Sequence, residues 1–599
     1  MSRANATAAP TAPRLASRRG ARRIIRRPPR AYTLPLAGLI LLLHLLLALL
    51  VFDPTPFTGG DNAGYIALAQ SLLEGRGYLE LYDPATPPHT QYPPAFPGVI
   101  AAALALRIRP WVGLKLVIVG FSLAAVCFAF LWLRRRGWPG AAPWVALLVA
   151  VSPGVLELSH WILSDVPFAA FTLAALWGFE RLRPDSWGRF TFAAVAATLA
   201  YFTRSAGLPL IVAVVAWLAL RRHWRQLAAF LLLVGPLAVA WWLRARMLGG
   251  VDYVQQFMMV NPYAPDLGRI GPVEFVQRII ENDKRYLSQH LPVLLFGLEG
   301  RAVLVLSVAI VLLAAIGWGG RLRRPGVAEL FLPLYVGLLL AWPAVWSGER
   351  FLLPVLPLIL AYAGIGLTRL SRRFAPRLTR YAGPVAAVLV LAAAAPALRS
   401  QVEAGGACTL GYAEGDRYPC LVEDWRDYFE IAEWSRRALP DGAVVLSRKP
   451  RLFYLISGHR GRVYPLSADP DVFFATAREV GARYVVLDYV DSISGFYLAP
   501  VLLRRPESFC IMRVLASSRA VLFGIDEAGG AGEAAAPDPL GGGGGTVRAE
   551  IVFPSCPAEY WRGGGQADPA PDRAAAPDRP SAPPARRDAA APPDPAGSA

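Results

Sequence analysis

Four side chains at the edges of long apolar runs are best suited to chemistry. Thr58-Gly-Gly-Asp61-Asn62-Ala-Gly-Tyr65 places a carboxylate after two glycines and before a helical pattern. His160-Trp-Ile-Leu-Ser164-Asp165-Val-Pro167 places a second one at the end of an apolar run. Either carboxylate could cap a helix by accepting backbone N–H bonds. Either could also take a proton from a hydroxyl as a general base, and the two roles are compatible. Arg204 and Arg350, the latter in Ser347-Gly-Glu349-Arg350-Phe-Leu-Leu-Pro354, bring guanidinium forks that suit a phosphate at head-group level. Glu349 is placed to pair with Arg350. Gln91-Tyr92-Pro93-Pro94 fixes an extended entry into a short apolar helix. His160 reads as an interfacial residue before a metal ligand.

These residues need rigid elements to hold them. The chain has 599 residues, 55% hydrophobic and 17% charged. Soluble chains carry roughly 25% charged residues, so most of this surface is expected to face lipid. Apolar runs of about 20 residues, enough for a spanning helix, recur along it. The first is Tyr32–Phe52, kept as a span because it lacks a small-residue cleavage site. Further spans are predicted at 112–133, 141–158, 163–181, 189–203, 206–220, 226–247, 301–318, 328–345, 350–369 and 380–398. Pro94–Leu106 is too short to cross and is read as interfacial or re-entrant. The predicted fold is a membrane all-α bundle of about eleven transmembrane helices plus interfacial helices, with a C-terminal extracytoplasmic α/β domain.

Basic loops set the threading. Arg134 to Arg136, Arg181 with Arg183, Arg221-Arg222, Arg321 with Arg323-Arg324, and Arg369 to Arg380 all fall on one side if the N-terminus is cytoplasmic. The other side then collects outer loops 53–94 and 248–300, the Ser159–Asp165 turn, Arg204, Glu349-Arg350 and everything after residue 399. The net charge of +18 thus marks cytoplasmic loops, and no nucleic-acid partner is expected, because aromatics do not interleave with the basic clusters. Residues 1–31 read as a disordered basic cytoplasmic tail and 32–398 as the membrane domain. Residues 399–560 read as a mixed α/β domain, with strand candidates Ala443–Ser447 and Tyr484–Leu487 and a helix at Pro470–Val480 between them. Glu527–Gly545 reads as a flexible insertion, and 561–599 as a disordered Pro/Ala-rich tail. Cys408, Cys420, Cys510 and Cys556 follow the last span. Outside the membrane they allow two disulfides, with Cys408–Cys420 and Cys510–Cys556 the simplest pairing. Cys127 reads as a core residue.

No GxxxxGK[ST] loop and no helix-opening GxGxxG occurs, which disfavours ATP-driven pumping and a soluble nucleotide-sugar fold. A polytopic transporter or flippase would need ionisable groups in mid-span or inverted repeats. A non-catalytic envelope assembly protein would act through the outer domain alone.

The order Gly60-Asp61, Tyr92-Pro-Pro94, Ser164-Asp165-Val-Pro167, Arg204 and Glu349-Arg350-Phe-Leu-Leu-Pro354 resembles the GT-C superfamily of membrane glycosyltransferases. Within it the chain is most similar to the bacterial protein mannosyltransferase and aminoarabinose transferase group. The resemblance covers residues 32 to 398, and Ser447-Arg-Lys-Pro450 with Tyr484-Val-Val-Leu487 is similar to the outer domain of many bacterial members. It implies a bacterial inner-membrane enzyme that takes sugar from a polyprenyl-phosphate donor. The acceptor hydroxyl would belong to a lipid, protein or polysaccharide on the extracytoplasmic side. Asp61 and Asp165 match the family's two outer acids, and Arg350 a basic position that meets the donor phosphate. Asn62, Tyr65, Tyr92, His160, Arg204 and Glu349 are the accompanying binding candidates. Many relatives carry a second acid where this chain has Asn62, which weakens the case for a carboxylate pair or metal site there. No cofactor is implied, and a divalent cation is left open.

Overall fold

The computed structural model describes residues 33–56, 58–108, 111–249, 253–262, 267–515, 520–526 and 553–564. The two predicted disordered tails, apart from residues 561–564, and the predicted insertion at 527–545 lie outside them. Four described helices are long and apolar enough to cross a membrane: Val112–Arg136, Trp224–Met247, Arg301–Gly319 and Thr379–Ala413. Shorter apolar helices include Leu34–Leu50, Ala95–Ala105, Asp165–Phe179, Ser205–Leu220 and Val327–Ala341. The prediction of about eleven full spans therefore exceeds what helix length alone supports.

Several predicted spans differ in detail. The run at 141–158 is two helices, Ala142–Ala150 and Pro153–Leu158. Pro153 explains the break, since it has no N–H to continue the ladder and starts the second helix at its first position. The run at 328–345 stops at Ala341, ahead of Pro343. The last predicted span continues from Thr379 to Ala413, 35 residues, and carries Cys408 beyond the apolar stretch. Close helix approach uses glycine: a Cβ on Gly317 would run into Tyr362 O, and one on Gly366 into Leu313 O.

The basic loops gather at one end of the bundle. Arg181 Nη2 donates to Arg136 O at 2.9 Å, and Arg135 Nε to Glu180 O at 2.8 Å. Arg221 Nη2 donates to Pro325 O at 3.3 Å, and Arg369 Nη1 to Gly317 O at 3.3 Å. Helix Asp165–Phe179 runs from the other end to this one. Trp187–Thr203 runs back, and Leu208–Leu220 returns to Arg221.

The C-terminal part holds a four-stranded sheet: β1 (Val445–Leu446), β2 (Tyr484–Leu487), β3 (Phe509–Val514) and β4 (Val521–Ile525), in the order β1-β2-β4-β3. β1 runs parallel to β2, and the other pairs are antiparallel. Alternate residues face opposite ways, as strand geometry requires. Val445, Tyr484, Val486 and Met512 pack with Trp425, Phe429 and Phe453 from helices Glu423–Ala438 and Pro450–Ser457. Leu446, Val485, Phe509 and Phe523 pack on the other face with Phe473, Val501 and Leu502. Both predicted strands and the predicted helix are present, the first strand shortened to two residues. Both disulfides pair as the simplest scheme has them, and Cys127 is free.

Candidate functional site

Asp61 and Asp165 are each the first residue of a helix. That place suits them, because the positive end of the helix dipole favours an anion. Neither acts as the side-chain cap. The cap positions are Gly60, at φ 82°, and Ser164, and neither makes a capping side-chain bond. Gly60 matters here, since that left-handed turn is cheap only without a Cβ. Freed from capping, both carboxylates face other side chains.

Asp165 is buried, and its Oδ1 pairs with Arg204 Nη1 at 2.8 Å. Its Oδ2 is buried without a hydrogen-bond partner. Arg204 Nη1 also donates to Ser164 Oγ at 3.1 Å, and Ser164 Oγ lies 3.0 Å from Tyr65 Oη. Asp61 is more open. Tyr92 Oη donates to its Oδ1 at 3.1 Å, and Arg350 Nη1 stands 3.9 Å from its Oδ2. Arg350 feels both carboxylates. Both guanidiniums lie 5.0 Å from the ring of Phe351. Tyr65 packs against Tyr92 at a tilt, with ring centroids 4.7 Å apart, and burial pushes its hydroxyl well above the ordinary tyrosine range.

The loop before Tyr92 is built to hold it. His89 Nδ1 lies 2.6 Å from Glu80 Oε1, and Tyr92 N donates to His89 Nε2 at 2.8 Å. That pair of bonds assigns a neutral His89 with its proton on Nδ1, and burial lowers its pKa in agreement. Burial alone would raise the Glu80 pKa, but the bonds from His89 and Tyr82 outweigh it and hold Glu80 below the ordinary range.

Asp61, Tyr65, Tyr92, Asp165, Arg204 and Arg350 thus converge from five separate stretches of chain. Three other candidates lie around them. Asn62 is fully buried, and its Oδ1 accepts from Ala63 N at 2.8 Å. His160 is buried with its ring 5.6 Å from Phe52. Glu349 turns to His290, with Nδ1 at 3.7 Å from its Oε2. Burial would raise its pKa, but His290 and Arg350 outweigh burial and hold it low.

The C-terminal part and helix Val327–Ala341 add residues that sequence reasoning did not select. Arg451, in helix Pro450–Ser457, donates to Tyr92 Oη at 3.1 Å and lies over the rings of Tyr82 and Tyr92. Arg451, Tyr92 and Asp61 thereby form a chain of bonds across two parts of the fold. Lys449 feels Asp61 as well as Asp491, 3.7 Å away; burial and Arg448 lower its pKa. Tyr335 is buried beneath, donating to Phe351 O at 2.9 Å. The signal available was the basic run Arg448-Lys449-Pro450-Arg451 at a strand-to-helix join. Among the described residues no three of His, Cys, Asp and Glu group as a metal site.

No family model matches the chain, and no curated protein matches it by sequence. Solved structures do match it. ArnT from Cupriavidus metallidurans bound to undecaprenyl phosphate superposes with a TM-score of 0.51 at 12% identity, over 83% of this chain and 99% of that one. The Archaeoglobus fulgidus oligosaccharyltransferase matches with a TM-score of 0.50 at 14% identity, over 81% of this chain and 73% of that one. The chain shares the overall fold of these two structures. At these identities the likeness concerns the fold alone. That fold here carries the carboxylate and arginine cluster at one end and the basic loops at the other.

Proposed function

We propose that this chain is a bacterial inner-membrane glycosyltransferase with a cytoplasmic N-terminus. It moves a hexosyl or pentosyl unit from a polyprenyl-phosphate donor to a hydroxyl of a lipid, protein or polysaccharide outside the membrane. The observation that carries this reading is the convergence of Asp61, Asp165, Arg204 and Arg350 at one end of a GT-C fold. The fold likeness to an ArnT bound to undecaprenyl phosphate supports the donor class.

The step is a single displacement. The acceptor O–H bond breaks and its proton goes to Asp61. The hydroxyl oxygen forms a bond to the anomeric carbon. The bond from that carbon to the phosphate oxygen breaks, and its electron pair leaves with the phosphate. Attack opposite the leaving group inverts the configuration. Asp61 suits the base because its Oδ2 is open, with Arg350 no nearer than 3.9 Å. Arg350 receives the phosphate charge through a fork geometry that matches it. Arg204, anchored on Asp165 and Ser164, backs it. Asp165, buried with Oδ1 on Arg204, keeps that guanidinium aimed at the site. Tyr92, packed at a tilt on buried Tyr65, offers a ring face to a sugar. A positioned base contributes roughly 10²–10⁴-fold to rate. Loop 248–300 reads as a cover that limits donor hydrolysis.

The test is direct. Purified full-length protein is incubated with a panel of polyprenyl-phosphate sugars, and donor loss is followed by mass. At least one donor is consumed with release of polyprenyl phosphate. Inertness toward every donor, with acceptor extracts from the cell envelope supplied, overturns the reading.

A further inference from the structure

At the end opposite Asp61 lies a cavity of about 370 Å³. Five arginines line it: Arg136, Arg181, Arg221, Arg321 and Arg324, with Glu180 their one acidic companion on the wall. Glu329 stands behind, bonded to Arg136. Five cations against two carboxylates leave a surplus of three positive charges around one concavity, an electrostatic invitation to an anion. Behind the wall, Arg136 Nε and Trp217 Nε1 are buried without an acceptor, and Arg321 Nε stands 3.8 Å from Glu329 Oε1.

The cavity is separate from the site above. Asp165 opens the 15-residue helix whose last residue, Phe179, lines this cavity. At 1.5 Å per residue that helix holds the two about 22 Å apart. Part of the wall is apolar: Phe179, Leu176, Trp217 and Val327 also line the space. Arg181, Arg221 and Arg324 are exposed at the rim. Guanidinium forks around a phosphate, with an aromatic wall beneath, match a charged head group whose tail stays in lipid.

We infer that this cavity binds the phosphodiester head group of an anionic phospholipid. The basic loops around it carry the charge pattern that marks a cytoplasmic face, where anionic lipids are available. The lipid phosphate neutralises the surplus charge and draws the basic segments Arg134–Gly137, Arg181–Ser186 and Arg321–Gly326 together.

Full-length protein in neutral detergent is titrated with phosphatidylglycerol, phosphatidylcholine or inorganic phosphate, with bound lipid read by native mass spectrometry and stability by Tm. Phosphatidylglycerol is retained and raises Tm, while phosphatidylcholine and inorganic phosphate do neither. Double substitution Arg221→Ala/Arg324→Ala weakens phosphatidylglycerol binding roughly 25-fold, at about fivefold per arginine. The single Arg324→Ala variant shows about a fivefold loss, so the idea stays testable if the double variant is not recovered. Arg323→Ala, next door but not on the cavity wall, binds as the parent does. Equal binding by parent and double variant overturns the site. So does an equal loss in Arg323→Ala, which would reflect general surface charge. Protection by inorganic phosphate as strong as by the lipid overturns the lipid as its source.

Discussion

Two ion-pair clusters sit at opposite ends of the same helices, and they are built differently. At the basic end Glu329 is fully buried, and each of its oxygens is satisfied. Arg136 Nη2 and Tyr362 Oη donate to Oε1, and Gly326 N donates to Oε2 at 2.8 Å. Arg136 also pairs with Glu180 at 2.5 Å. At the other end Asp165 has one oxygen bound to Arg204 and one without a partner. Asp61 keeps one oxygen open, and its side chain is 38% exposed. A saturated carboxylate holds helices in place. A carboxylate with a spare lone pair is costly to keep and useful only if something comes to it. Both clusters hold a buried carboxylate paired with an arginine; the spare bonding capacity distinguishes them.

The largest effect should come from Asp61→Asn. Donor consumption falls by roughly 10²–10⁴-fold, while Tm and yield stay at parent values. Near-normal turnover would remove Asp61 from the chemistry. Glu329→Ala should do the reverse. It leaves Arg136 buried beside Glu180 alone and costs about 3–5 kcal/mol of stability, read as lost Tm in detergent, with turnover per folded molecule unchanged. If turnover collapsed instead, the line between the two clusters would be wrong.

Smaller effects sharpen the comparison. Arg451→Ala cuts the bond to Tyr92 and lowers turnover about tenfold, a loss of about 1.4 kcal/mol, as expected for one hydrogen bond to a charged group. Arg451→Lys recovers only part of it, because a point charge cannot copy a planar fork stacked on two rings. The smallest effect concerns Asp488, which directly follows strand β2 of the C-terminal sheet. Burial raises its pKa from 3.8 to about 7, and its Oδ2 is buried without a partner. A carboxyl raised on folding prefers to be protonated in the folded state. Its stability contribution is complete below pH 3.8 and is lost as pH rises through about 7. Asp488→Asn should therefore raise Tm at pH 8 and leave it unchanged near pH 4.

Much of the site was legible because its residues sit at discontinuities of apolar pattern. Asp61, Asp165, Arg204 and Arg350 each interrupt a hydrophobic run at its end, where an ionisable group is expensive. Their positions were readable; their partners were not. Asp61 and Asp165 were expected to be able to cap helices, and instead stand just inside the first turn facing arginines. Arg451 and Lys449 were overlooked because nothing within 300 residues of them in the chain reveals Asp61. Strands β3 and β4 were missed because their short, mixed segments carry little periodicity. Their pairing is set by the sheet and by Cys510–Cys556.

By itself the sequence determined which segments are apolar, which loops are basic, and which few charged residues break the pattern, because those depend on local composition. Only the tertiary structure decided which charges meet. A helix of 15 residues carries one carboxylate to Arg204 at its start and leads, at its end, to Glu180 and the basic cluster. Whether each carboxylate is saturated or left with an open oxygen depends on side chains brought from elsewhere in the chain, at distances of a few ångströms that no local pattern encodes.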